Sequence, residues 1–209
     1  AYFSHGVASG DPLKDRVILW TRVLPGDGFD RGLNVEWQVA TDTGFVKIVS
    51  SGQAFTDISR DFTVKVDAAS LEPGSRYFYR FISEGVVSPT GVTRTLPVGE
   101  VARFRIGIAS CSNYPQGFFN AYRDMAAQDL DAVVHLGDYI YEYPDGGYAN
   151  KEALERLNRH VRPEHEILTL EDYRTRYGVY RTDQDLQKLH QKHPFICVWD
   201  DHELTNNTW

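Results

Sequence analysis

Only two cysteines occur in the 209 residues, too few for a disulfide framework, so stability has to come from a packed core. No apolar run approaches the ~18 residues that a membrane-spanning helix needs. There is no basic start followed by an apolar stretch, so any secretion signal is already gone or never existed. The first residue is Ala1 rather than Met, which fits a processed or trimmed product. Lys and Arg are outnumbered, 22 against 29 Asp and Glu, for a net charge of -7. That balance argues against a nucleic-acid-binding surface, which needs clustered cations. No Gly-x-Gly-x-x-Gly follows a strand, so a nucleotide-binding Rossmann protein is set aside. Neither an internal repeat nor a low-complexity tract is present.

What is there suits one large domain or two small ones. Apolar content is an ordinary 42%, and the length is enough to bury a core. Residues 5 to 98 read as all-β. Arg16 to Val23 is rich in β-branched and aromatic residues and is closed by Leu24-Pro25-Gly26-Asp27-Gly28. Leu33 to Ala40 and Phe62 to Asp67 alternate apolar and polar, as half-buried strands do. A Pro73-Gly74 turn then feeds an aromatic strand with Tyr77, Tyr79 and Phe81 on one face, better read as core than as a ligand platform. Short strands with Gly, Pro and Asp punctuation predict a β-sandwich of the fibronectin III or Ig-like kind, which by fold alone implies packing rather than chemistry.

Leu96-Pro97-Val98-Gly99-Glu100 reads as a linker, dividing the chain into domains 1–98 and 99–209. Beyond it the periodicity changes. Phe104 to Ala109 is a continuous apolar run, predicted as a strand buried on both faces. Phe118 to Leu130 carries apolar residues at helical spacing, and Ala132 to Leu136 is the next strand, making a βαβ unit. Tyr143 to Tyr148 is a turn. Helices are predicted over Lys151 to Asn158, over Thr169 to Tyr177 with Thr169 and Asp172 as a capping box, and over Thr182 to His190 with Asp185 in the equivalent place. Phe195 to Trp199 is the last strand. Cys197 within it is expected to be a buried small hydrophobe. His190 and His193 are expected at the surface or as caps, and His5 as structural. Arg159-His160 and Glu164-His165 read as a polar helix end or loop, with shaping of a substrate entrance as the alternative.

Three parallel strands therefore end, in order, at Cys111, at Asp138, and at Asp200-Asp201-His202. In a doubly wound sheet such ends share one edge and converge. Tyr141 lies three residues past Asp138. Thiolate, carboxylate, phenolate and imidazole suit structural zinc poorly. Anionic oxygen with thiolate suits a high-valent iron, and further carboxylate and amide oxygens (Asn206, Asn207) suit a hard ion such as calcium. Each motif alone is weak; their convergence points to a metal site.

Several strings together resemble the PhoD-like alkaline phosphatases and phosphodiesterases, within the calcineurin-like metallophosphoesterases. They are Phe3 to Pro12 with Val17 to Arg22, Ala109-Ser110-Cys111, His135 to Glu142, Tyr180 to Asp183, and Trp199 to Glu203. The resemblance implies a β-sandwich followed by the first half of an α/β metallophosphoesterase domain. It implies ferric iron held by Cys111 and Tyr141, Asp138 bridging the iron and a calcium, and Asn206 as a calcium ligand. Asp201 stands where the superfamily has the Asn of Gly-Asn-His-Glu, which makes it a metal ligand by position. His202 falls on the residue that faces the phosphate and leaving group. The implied reaction is hydrolysis of small-molecule or lipid phosphate esters, diester or monoester, by metal-bound hydroxide, after export to the periplasm or cell exterior. The family continues for a long second half with further ligands, so the chain reads as part of a longer enzyme. The alternative is a non-catalytic binding or structural protein whose α/β half is incomplete.

Overall fold

A computed structural model describes residues 2–26 and 31–208; the expected closing turn at Asp27-Gly28 lies outside them. The strands are β1 (Val7–Gly10), β2 (Arg16–Arg22), β3 (Leu33–Ala40), β4 (Ile48–Thr56), β5 (Thr63–Ala69), β6 (Arg76–Ser83), β7 (Val86–Val87), β8 (Gly91–Arg94), β9 (Ile106–Ala109), β10 (Ala132–His135) and β11 (Phe195–Cys197). The helices are α1 (Asn120–Ala127), α2 (Lys151–Leu157), α3 (Leu170–Tyr180) and α4 (Gln184–Lys192).

Two sheets face each other over the first hundred residues. One runs β4-β3-β6-β7 with β8 also on β6; the other begins β5-β2-β1. The face read from the sequence for the aromatic strand is the face observed, and β2 alternates in the same way. Val17, Leu19 and Thr21 of β2 point inward, as do Tyr77, Tyr79 and Phe81 of β6. These side chains join Val7, Leu33, Val35, Val39, Val64 and Ala68 in one core cluster, where each fully buried Leu, Val or Phe contributes roughly 1.5–3 kcal/mol. The aromatic run is thus core.

The second sheet does not stop at the linker. It continues from β1 into β11, β10 and β9, all parallel to one another, giving the order β5-β2-β1-β11-β10-β9. The joint is at Gly10, which pairs with Phe195 while the Asp11 N–H donates to the Phe195 carbonyl at 2.9 Å. A Cβ at Gly10 would sit 3.0 Å from that carbonyl oxygen, so glycine lets the strands approach. Arg181 donates to the His5 carbonyl and Gln187 to that of Ser4, tying the N-terminal segment to α3 and α4.

Several expectations need correction. β9 is an edge strand with Ile106 48% and Ile108 67% exposed, so only one of its faces is covered. The α-side core uses Phe119, Tyr122 and Ala126, while Phe118 is exposed. Asp183, not Thr182, caps α4, accepting from the Asp185 and Leu186 N–H groups. Asp185 is then free to bind Arg123 of α1 in a two-pronged pair. His190 and His193 are buried rather than superficial, and Cys197 is exposed rather than buried. His190 stacks on Phe195 with ring centres 3.7 Å apart. Arg159 is also buried, since it pairs with Asp183 at 2.6 Å and lies over the Tyr114 ring. The capping box on α3 forms as expected: Thr169 accepts from the Asp172 N–H, and Asp172 accepts in return.

Candidate metal centre

The ends of β9, β10 and β11 are neighbours, and β10 lies in the middle. After His135 the chain turns sharply through Gly137 at φ 103° and Asp138 at φ 53°, the left-handed region that costs an L-residue energy and recurs at functional sites. Cys111, after β9, is also left-handed at φ 56°. Backbone bonds dock that loop on the central one: Cys111 N–H to the Gly137 carbonyl at 3.2 Å, Ser112 N–H to that of Asp138 at 3.1 Å. After β11, Asp200 caps a single 3-10 turn, Asp201–Glu203.

This arrangement gathers three side chains. One potential ligand atom each from Asp138, Asp201 and His202 falls within 4.8 Å of the others. Asp138 is buried, its Oδ2 accepts from the Tyr141 hydroxyl at 3.2 Å, and its Oδ1 has no partner. A buried carboxylate oxygen without a partner is costly; on a residue grouped with a second carboxylate and an imidazole, it fits a cation. Burial first, then the Asp138 carboxylate and the Cys111 thiol, hold the Tyr141 phenol above its ordinary range. The Asn207 N–H, more than any other neighbour, holds Asp201 below its ordinary range. Of the residues singled out from sequence, Asp138, Tyr141, Asp201 and His202 are brought together. Cys111 is exposed and stands outside the trio, beside Tyr141. Asn206 is exposed and anchored through its backbone, its N–H donating to Glu142 at 2.7 Å.

Sequence reasoning quoted Glu142 and Glu203 inside motifs but gave them no role. Both are buried. Glu203 accepts from the N–H groups of Asp138 at 2.9 Å, Tyr139 at 2.5 Å, Ile140 at 3.4 Å and Asp200 at 2.7 Å. Glu142 accepts at 2.8 Å from His202 Nδ1 and from the Asn206 N–H. The His202 ring lies over Tyr141 with centres 4.3 Å apart and near Tyr143 at 5.4 Å. Arg176, also missed, is buried among the carbonyls of Tyr141, Tyr143, Arg162, Pro163 and His165 and fixes the loop that follows Glu142.

Below the loops, the Gly137 N–H donates to His135 Nδ1 at 3.3 Å, which puts the ring proton on Nε2, 3.0 Å from the Tyr122 hydroxyl. Tyr122 in turn bonds Ser112. Burial pushes the His135 imidazole down to about 4, against the pull of Asp138, so it is a neutral strut at neutral pH. His160 is tied to Asp145 on a neighbouring loop and His165 to Asp172 in the first turn of α3. A cavity of about 720 Å³ lies between β2, β5 and α3 and borders the strand-end loops at Tyr139 and Glu203. A second, of about 510 Å³, opens beside Cys111 and is lined by Asn113, Phe118 and Tyr122.

Two family models cover nearly the whole chain: the N-terminal domain of PhoD-like phosphatases matches residues 1–97, and the PhoD-like phosphatase model matches residues 106–209. Alkaline phosphatase D of Bacillus subtilis (strain 168) is 43% identical over 212 residues, covering 98% of this chain and 36% of that relative. A solved structure of PhoD superposes with a TM-score of 0.92 at 43% identity, covering 99% of this chain and 40% of that one. The chain thus spans little more than a third of the curated relative it matches.

Proposed function

Because the chain belongs to the PhoD-like phosphatase family, we propose that it carries one side of the metal site of an enzyme hydrolysing small phosphate esters. The observation that carries this is the buried Asp138, which has one carboxylate oxygen without a partner and is grouped with Asp201 and His202. Asp138, Asp201 and Asn206 offer the hard oxygens that suit calcium, and Cys111 and Tyr141 the anionic thiolate and phenolate that suit ferric iron. Such cations would acidify water for attack on phosphorus and offset charge on the phosphoryl oxygens.

The chain's own groups do the rest. Asp138 holds the Tyr141 proton on Oδ2, so Tyr141 can act as an anionic ligand only once that proton leaves. His202 has Nδ1 committed to Glu142; its other nitrogen accepts while the ring is neutral and donates to a phosphoryl or leaving-group oxygen only once the ring carries a second proton. Tyr141 and Tyr143 wall the imidazole in. Among the described residues no helix is long and apolar enough to cross a membrane.

The test is metal analysis, visible absorption and hydrolysis of p-nitrophenyl and bis-p-nitrophenyl phosphate by the native enzyme and by Asp138→Asn. Bound iron with a visible charge-transfer band, lost together with turnover in the variant, is expected. Turnover without iron refutes the iron assignment, and no turnover in the native enzyme refutes the phosphatase.

A further inference from the structure

The two strand-end loops hold each other through a pair of buried carboxylates. Glu142, from the loop after β10, reaches the loop after β11 and accepts from His202 Nδ1 at 2.8 Å and from the Asn206 N–H at 2.7 Å. Glu203, from the loop after β11, reaches back and accepts from three successive N–H groups, Asp138 to Ile140. Each carboxylate is buried, and its charge is met by fixed N–H donors rather than by a cation of its own. Neither carboxylate belongs to the trio around Asp138 Oδ1. Both lie behind it.

The geometry points to Glu142 as a positioning residue for His202, and this inference rests on the reading of His202 as a group that acts on the phosphate ester. One oxygen of Glu142 fixes the imidazole proton on Nδ1 and the rotation of the ring, leaving the other nitrogen facing the reacting group. The second oxygen holds the Asn206 N–H, so the turn that carries His202 is fixed at two points, four residues apart in sequence. Tyr141, immediately before Glu142, supplies the surface on which the imidazole lies. The string Tyr141-Glu142 therefore sets the ring's face and its hydrogen bond together. A carboxylate is required here. Both contacts need acceptors on the same group, and an amide has only one oxygen.

The experiment is a double-mutant cycle in the native enzyme between Glu142→Gln and His202→Ala, reading kcat and KM on bis-p-nitrophenyl phosphate with bound metal and melting temperature alongside. Glu142→Gln is expected to lower kcat roughly 10–100-fold, the range for partners that orient functional histidines. KM should stay within about twofold and bound iron unchanged, since neither hydrogen bond of the Glu142 carboxylate goes to Cys111, Asp138 or Tyr141. In the His202→Ala background it should lower kcat no further. Losses that multiply, or a loss matched by iron release, overturn the positioning role and leave the phosphatase standing. Native-like turnover in His202→Ala removes the role of His202 and this inference with it, while a native enzyme that hydrolyses no phosphate ester fails at the earlier reading. Glu142→Asp, which keeps two acceptor oxygens and the charge but a shorter reach, serves if the Gln variant does not fold; the same non-additivity with His202→Ala is expected, and additive losses overturn the inference.

Discussion

Gly137→Ala tests whether the strand-end loops that carry the candidate metal ligands are held in register by backbone contact. Gly137 has φ 103°, and a Cβ there would fall 2.4 Å from Asp200 Cβ and 2.6 Å from Asp200 N. Ordinary contact begins at about 3.4 Å, so 3.4 − 2.4 leaves the two loops about 1 Å too close, and the obstacle is backbone rather than a side chain that can swing away. Parting them strains the Val198 N–H bond to the His135 carbonyl, now 3.0 Å, and the bond from the Asp138 N–H to Glu203. Holding an L-residue at positive φ costs roughly 1–2 kcal/mol, and two weakened hydrogen bonds add roughly 0.5–1.5 kcal/mol each. The total is about 2–5 kcal/mol, or about 4–20 °C in melting temperature for a cooperative unit of this size. Catalytic loss should be larger in proportion, since a 1 Å misplacement costs on the order of 100-fold. Melting curves, bound metal and kcat/KM on bis-p-nitrophenyl phosphate give the answer. A Gly137→Ala enzyme with native melting temperature and kcat/KM within twofold would refute the argument that these loops are locked together at Asp200.

Two further outcomes follow from groups outside the metal site. His5 and His135 are both pushed down to about 4, His5 by burial and then by Arg22 and Arg181. Since their folded values lie below the unfolded value near 6.5, the unfolded chain binds these protons first. Stability is then full above about pH 6.5 and erodes as pH falls towards 4, by up to ~1.4 kcal/mol per pH unit per histidine; melting temperature measured from pH 7.5 to 4.5 should fall accordingly, less steeply in His5→Gln, and a flat profile counts against both assignments. Arg159→Met strands the buried Asp183 carboxylate, now 2.6 Å from the guanidinium, and should cost roughly 3–5 kcal/mol against about 1 kcal/mol for Thr169→Ala at the α3 cap; equal losses in denaturant titrations would show that the Arg159 pair is not buried in solution.

The sandwich strands were legible because one face of each is wet. Alternation in β2, β3 and β6 is a local pattern that reports the distant core directly. β4 escaped notice because Ile48 to Thr56 has its apolar residues at the two ends with Ser, Gly and Gln between them and lies at a sheet edge, and β1 and β8 are only four residues each. The expectation for β9 failed for a related reason. A continuous apolar run reports that both faces are fit for burial, not that both are covered, and β9 has one open face here. Joining β1 to β11 brings Gly10 against Phe195, a pairing that rests on backbone bonds and whose residue-type signature is a single glycine.

The same distinction explains what could be read of the site. Asp138, Tyr141, Asp201 and His202 stood out because a ligand must be one of a few residue types, and strand ends in a parallel sheet converge whatever lies between them. Glu142, Glu203, Arg159 and Arg176 did not stand out, although they are as buried as the core. Arg176 answers to five carbonyls, and the carboxylate of Glu203 to four N–H groups. Every residue has such partners, so no second motif marks them. A charged side chain met by backbone looks in sequence like a solvated one. The useful sign is indirect: in His135 to Glu142 and Asp200 to Glu203 the acid closing each string sits one or four residues beyond a residue read as chemical, where a further carboxylate would crowd that residue unless it faced away. Facing away, it can only serve the neighbouring loop. That is the arrangement the two glutamates adopt, each holding the other's strand end.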